Sequence, residues 1–387
     1  MAEPVQAFGS KCARGAMRKE VVEARDTTRG LLLIKVLENH TDQSARPVWC
    51  WSERDKMSSQ WALCLPGPQT SLTNFEFSEV IAAHLLMPSP ICLPKLGENI
   101  RDRRTVDLYG DEVMSATLAG DGWRHRHDGF KLRLLSLFRW AGEPVQGEVF
   151  NLFSGDIPQA GLSQLERGQK RQGLVPDFRI QGGPGAGAVL ADLKYLSCNI
   201  SRYPRNPKPQ SRAVDRRAAG LTAEYSRKAK AVDHEYCGVP RGTEGPILRH
   251  LQSYGKIRGY IVGRWGEMSE ELHELITNLA KARFRVESLL PGSQGRDRRG
   301  NSLSEKGHLA LLTGSLRRQL SLLAVRSQAR LLLDRVEGLI GVGAVAAARR
   351  RASAVATARA FDLERRAQFV SQRQGANIVR RGFFRID

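Results

Sequence analysis

Between residues 128 and 142 the apolar positions Phe130, Leu132, Leu134, Leu135, Leu137, Phe138 and Trp140 alternate with Lys131, Arg133 and Arg139. That spacing predicts an amphipathic helix ending near Gly142. Pro144, suited to a first helical turn, then opens a second predicted helix carrying Val145, Glu148, Val149 and Leu152. Two short apolar runs follow, 174–180 and 188–197, separated by the glycine-rich stretch 181–187, which reads as a β-hairpin. Prolines at 204, 207 and 209 mark a loop, 213–232 reads as a helix, and 257–262 as a strand. From about Glu267, Leu272, Leu275, Ile276 and Leu279 recur at helical spacing. The predicted order is α-β-β-α-β-α, an α/β fold with a mixed sheet flanked by helices.

Outside this region the pattern is looser. Residues 1–122 are irregular and proline-broken, with one helical stretch at 75–87 and no assignable module. After a charged, glycine-rich linker at 292–301, Leu309, Leu312, Leu316, Leu320 and Leu323 fall on one helical face. An alanine-rich segment containing Arg349, Arg350 and Arg351 follows, also read as helical. The chain therefore divides into an N-terminal region (1–122), an α/β domain (123–285), and a linker with a basic helical C-terminal extension (286–387).

Charge adds the first functional clue. The 387 residues carry 60 Lys and Arg against 40 Asp and Glu, a net charge of +20. From residue 281 onward there are 22 basic and 8 acidic residues, and nearly all of the cations are arginine. Such a field attracts polyanions, so the expected partner is DNA, with RNA as the alternative. Arg216, Arg217, Lys228, Arg317, Arg318, Arg326 and Arg330 are the expected contacts. No apolar run approaches the roughly 18 residues a membrane span requires. The N-terminus lacks a secretory h-region, and six scattered cysteines read as reduced thiols, so an intracellular protein is expected, nuclear if eukaryotic.

The residues that carry chemistry lie in the hairpin. Pro176-Asp177 stands on the first strand and Asp192-Leu193-Lys194 on the second. Strand alternation puts Asp192 and Lys194 on one face, and Asp177 on the neighbouring strand can face them. Two close carboxylates form a hard oxygen site suited to Mg²⁺ or Mn²⁺, one ion or two, and the Leu193 main-chain carbonyl offers another ligand. Lys194 beside them would act on a phosphate or an attacking water. The loop 182–187 has no following Lys-Ser/Thr and reads as a turn rather than a phosphate cradle, and His234 with Cys237 lacks a third group.

The Glu148 segment, the Pro176-Asp177 strand and the Asp192-Leu193-Lys194 strand, followed by helix and strand, resemble the PD-(D/E)xK nuclease superfamily. Arg126-His127-Asp128, Gly147-Glu148-Val149 and Val175-Pro176-Asp177-Phe178 narrow this to a resemblance to the restriction-like endonuclease region of non-LTR retroelements. The resemblance implies a restriction-endonuclease-like fold over about 123–285 and metal-dependent cleavage of DNA. It also implies metal binding by Asp177 and Asp192 with help from Glu148, and Lys194 as the catalytic lysine. Tyr225 with Lys228 matches a further aromatic and basic motif of that branch. No polymerase region or paired C-x-x-C knuckle accompanies it. The competing expectation is a non-enzymatic, or catalytically decayed, nucleic-acid-binding protein.

Overall fold

A computed structural model describes residues 55–64, 67, 70–85, 87–100, 104–116, 118, 122–149, 152–162, 174–181, 187–196, 212–289 and 304–338. The glycine-rich turn at 182–186, the 204–209 proline loop, the 292–301 linker and the arginine-rich stretch beyond 338 lie outside these residues, as do Cys12, Cys50 and Cys198. Among the described residues, Cys64, Cys92 and Cys237 carry free thiols, and no helix is long and apolar enough to cross a membrane.

The helices are α1 (Asn74–Leu85), α2 (Asp111–Ser115), α3 (Gly122–Ala141), α4 (Ala213–Ala219), α5 (Leu221–Tyr236), α6 (Pro246–Ser253), α7 (Glu270–Ser288) and α8 (Glu305–Gly338). The strands are β1 (Val145–Gly147), β2 (Phe178–Ile180), β3 (Val189–Tyr195) and β4 (Arg258–Val262), side by side in that order. β1, β2 and β3 pair antiparallel, whereas β3 and β4 run parallel. A parallel neighbour needs a long crossover, and α4, α5 and α6 supply it. The protein is thus mixed α/β, with a four-stranded mixed sheet and predominantly helical content.

Helices cover both faces of the sheet. On one, Phe178, Ala191, Leu193, Tyr260 and Val262 meet Phe130, Leu134 and Phe138 of α3, Leu272 and Ile276 of α7, and Leu316 and Leu320 of α8. On the other, Leu190 and Ile261 meet Val214, Ala218 and Leu221, together with Ile247 and Leu251 of α6. Leu190 and Ala191 are neighbours in β3 that fall in different clusters, as the two-residue period of a strand requires. Gly259 of β4 lies where α4 comes closest, since a Cβ there would sit 2.5 Å from the Ala218 Cα.

Several elements depart from the sequence reading. α3 ends where expected: Gly142 has a φ of 76°, its N–H reaches the Arg139 carbonyl, and the Glu143 N–H reaches that of Phe138. That pair of hydrogen bonds closes the helix end. The segment after it is the strand β1, not the helix expected from Pro144. Val145, Val149 and Leu152 imitate a helical face, but Val145 is β-branched and the β2 edge is available, so ladder bonds win. The 213–232 helix is two helices meeting at Gly220. The helix expected from Glu267 starts at Glu270, because Met268 bridges to Val262 and Ser269 becomes the N-cap. α6 has no counterpart in the sequence reading; buried Asp233 receives the Ile247 and Leu248 N–H groups and so caps it from another helix.

The largest departure concerns the C-terminal helix, which is part of the core rather than an extension of it. α8 buries Leu316, Leu320 and Ala324 against α3 and α7, and Leu322, Val325 and Ala329 against Trp61 and Val80. Farther along, Leu331, Leu332 and Val336 pack on Cys92, Val106 and Val113. These contacts organise the 55–116 region, which reads as irregular in sequence because its partners lie more than 200 residues away. Ser321 Oγ accepts the Trp61 N–H at 2.9 Å and donates to the Met57 carbonyl at 2.6 Å. Asp55 accepts from the Met57 and Met268 N–H groups and from Arg212 and His273, tying this region to the start of α7.

Candidate active site

The β2–β3 register pairs Phe178 with Ala191. One step beyond the end of β2, the same register sets Asp177 against Asp192, on the side of the sheet that faces α5. The two carboxyls face each other across the register, and both are buried, Asp192 to 1% exposure. Lys194, two residues along β3, stands on the same face with Nζ 2.8 Å from Asp192 Oδ2. Leu193 between them points to the opposite core and is fully buried. Asp177, Asp192 and Lys194 therefore form one cluster, held by strand geometry.

Further groups complete it. His127 and Lys131, one turn apart on α3, reach the end of β2 from the side. His127 Nε2 lies 3.1 Å from both Asp177 Oδ2 and the Leu193 carbonyl, and Nδ1 lies 3.1 Å from Asp128 Oδ1. Only acceptors face the two ring nitrogens, so both carry hydrogen in this arrangement. Asp177 Oδ2 also accepts the Leu193 N–H at 2.9 Å. Lys131 Nζ contacts Glu148 and sits 3.4 Å from Asp128 and 3.6 Å from Asp177 Oδ1. The buried Tyr225, from α5, lies beside Asp192, and burial followed by the charge of that carboxyl pushes its phenol up.

These surroundings drive the two carboxyls apart electrostatically. Burial opposes ionisation of Asp177, but the His127 and Asp192 hydrogen bonds and the Leu193 N–H outweigh it and hold the carboxyl well below the usual range. Asp192 is pushed up to about 7, first by burial and then by its charged neighbour Asp177, with Lys194 pulling the other way. Of the two, Asp192 is the carboxyl driven toward its protonated form and Asp177 the one kept ionised. His127 is raised: burial works against its charge, and the hydrogen bond and charge of Asp177 more than compensate. Lys131 is likewise raised despite burial, chiefly through Glu148.

Glu148, expected to assist metal binding from a helix, follows β1 instead, and its carboxylate is turned to Lys131. Its backbone is left-handed, with φ of 45°, a costly setting for a residue with a side chain. The Glu148 N–H bonds the Asp177 carbonyl at 3.0 Å, so the ladder continues through the bend and holds the strained conformation in place.

Several of the expected nucleic-acid contacts make ion pairs and main-chain bonds of their own, and Lys228 also lies over the Tyr225 ring, 5.4 Å from its centre. Arg217 and Lys228 bracket Glu224 at 2.6 and 2.8 Å. Arg330 pairs with Glu76 of α1, and Arg326 donates to the Ser71 carbonyl. Arg317 and Arg318 are half-buried on α8, and Arg216 is half-buried on α4. Compared with known proteins, the chain matches no family model, no curated protein and no solved structure.

Chemically, the cluster is a dry anionic notch with two ammonium groups at its sides. Among the described residues no three His, Cys, Asp or Glu side chains converge as a ready-made metal cluster. What the site offers a hard cation is two carboxylates and the Leu193 carbonyl. Asp192 Oδ2 fits that role, being buried and receiving no hydrogen bond of good geometry even with Lys194 alongside. His127, which the sequence reading quotes only within Arg126-His127-Asp128, and Lys131 are site residues to which it gives no role. Their signal is a histidine and a lysine four residues apart on an amphipathic helix, legible only once the helix is known to cross the β2 end.

Proposed function

We propose that this chain is a divalent-metal-dependent endonuclease of the PD-(D/E)xK kind, related to the restriction-like endonuclease region of non-LTR retroelements, acting on DNA inside the cell. The observation that carries the reading is the register itself. Asp177 faces Asp192 across an antiparallel pair, Lys194 lies two residues on, and the next strand joins in parallel. The order of elements, α3-β1-β2-β3, a helical crossover, then β4-α7, supports the same restriction-endonuclease-like fold.

Asp177, Asp192 and the Leu193 carbonyl would hold a Mg²⁺ or Mn²⁺ ion, which when bound supplies Lewis acidity toward a phosphate oxygen and a more acidic bound water. The chain's own residues do the rest. His127 and the Leu193 N–H fix Asp177 in its ionised form. Lys194 holds Asp192 by an ion pair at 2.8 Å. The Lys194 side chain is 35% exposed, so its ammonium can meet a phosphodiester arriving from solvent and stabilise charge developing there. The net charge of +20 draws the polyanion in.

The test is nicking of supercoiled plasmid by the full chain with Mg²⁺, Mn²⁺ or EDTA. Nicking that needs the ion and disappears in Asp177→Asn is expected. DNA binding without nicking under any ion would instead establish the non-enzymatic binding protein.

A further inference from the structure

We propose that Lys131 is the site's resident second cation, so that the centre takes one divalent ion where its four carboxylates would otherwise admit two. This rests on the endonuclease reading and concerns how that site is loaded.

A two-ion centre needs carboxylate oxygens that two ions can share, with the ions roughly 3.5–4 Å apart. The oxygens available are those of Asp177, Asp192, Glu148 and Asp128. Asp177 turns them in two directions, with Oδ2 on His127 and the Leu193 N–H and Oδ1 toward Lys131. The place a second ion would take, between Asp177 Oδ1, Glu148 and Asp128, is held by the Lys131 ammonium. A divalent ion and an ammonium cannot share that space, because like charges a few ångströms apart repel strongly in a dry site.

Lys131 has no route out. Its side chain is 6% exposed, and its place on α3 is set by Phe130 and Leu134, both fully buried in the core. Glu148 anchors it from a left-handed backbone that aims the carboxylate inward, so that strained residue serves the lysine rather than a metal. On the other side of Asp177, next to Asp192, the neighbouring cations are His127 and Lys194, whose side chains are 18% and 35% exposed and can give way to that ion where Lys131 cannot.

The experiment counts ions without relying on cleavage: Mn²⁺ alone is titrated into the full chain, and free Mn²⁺ is followed by its electron paramagnetic resonance signal. One Mn²⁺ per wild-type chain is expected, one in Lys131→Arg and two in Lys131→Met. Glu148→Gln alters a half-exposed side chain that the proposal excludes as a ligand, so it should still bind one ion, within threefold of wild-type affinity. Two ions in the wild type, one in a folded Lys131→Met, or a tenfold loss of affinity in Glu148→Gln each overturns the proposal. If circular dichroism shows Lys131→Met unfolded, Glu148→Gln and the wild-type count decide. Two ions with ion-dependent nicking would remove only the role of Lys131. A wild type that binds none would remove the metal-dependent nuclease as well.

Discussion

At the scale of single residues, the Asp177–Asp192 pair governs both stability and chemistry. Asp192 binds its proton more tightly folded than unfolded, so the native state holds the extra proton between about pH 4 and about 7. Stability should therefore fall as pH rises through that window, by a few kcal/mol at most, since about 1.4 kcal/mol accompanies each unit. Asp177 has the opposite sign, and its contribution is lost only below the ordinary carboxylate range. Thermal melts of the wild type from pH 4 to 8 should show the decline, and Asp192→Asn should flatten it. Mn²⁺ should raise the melting temperature most above pH 7, where it replaces the missing proton, and should do so far less in Asp192→Asn. A melting curve that rises steadily across the window would contradict the assignment. Lys194→Ala should cut the nicking rate by several orders of magnitude while leaving Mn²⁺ affinity nearly unchanged, because its ammonium serves the phosphate rather than the ion. Equal loss of ion binding would make Lys194 a structural partner of Asp192.

Elements position those residues, and two of them do so by close packing. Gly259 sits beside Asp192 across the β3–β4 register with α4 against it. Gly259→Ala would press a methyl into the Ala218 backbone, which cannot yield as a flexible side chain can. A loss of about 1–3 kcal/mol is expected in urea unfolding, as for other overpacked cores. Helix α8 matters on a larger scale. Leu316, Leu320, Leu322, Val325, Leu331, Leu332 and Val336 are all buried on it. At roughly 1.5–3 kcal/mol for each buried side chain, they contribute on the order of 10–20 kcal/mol, comparable with the whole stability of a typical domain. A chain cut after residue 290 should therefore be unfolded or aggregated by circular dichroism and gel filtration. A soluble, cooperatively melting truncation would show that α8 is dispensable after all.

For the whole molecule, part of the basic C-terminal third, helix α8, belongs to the folded core. The arginines of α8 are partly consumed inside the protein, on Glu76, on the Ser71 carbonyl and, through Arg335, on the carbonyls of residues 113, 114 and 116. Beyond Gly338 lie 10 further arginines against 3 acidic residues. Removing residues 339–387 should make DNA affinity less salt-sensitive. The slope of log affinity against log salt shrinks by roughly 0.9 for every phosphate that the shortened chain no longer neutralises. Titrations between roughly 50 and 200 mM salt measure this directly, and an unchanged slope would assign those arginines to something other than DNA.

Local periodicity and local turn chemistry were enough to read α3 and its end at Gly142, the β2–β3 hairpin strands, β4, and the alternation that sets Asp192 and Lys194 on one face. All of these depend on residues a few positions apart, where 3.6- and 2-residue periods act directly. The charge excess, a sum over the chain, was legible for the same reason. Long-range partners decided the rest. β1 is a strand because β2 offers it an edge, although Val145, Val149 and Leu152 suit a helix equally well. α8 belongs to the core because Trp61, Val80 and Val113 meet it across the whole length of the sequence. His127 and Lys131 join the carboxylates because α3 crosses the end of β2, and Glu148 is drawn to Lys131 by a positive φ that no spacing announces. Burial, and with it the proton on Asp192, exists only where two faces of packed helices exclude water, and that is a property of the assembled layers rather than of any stretch of sequence.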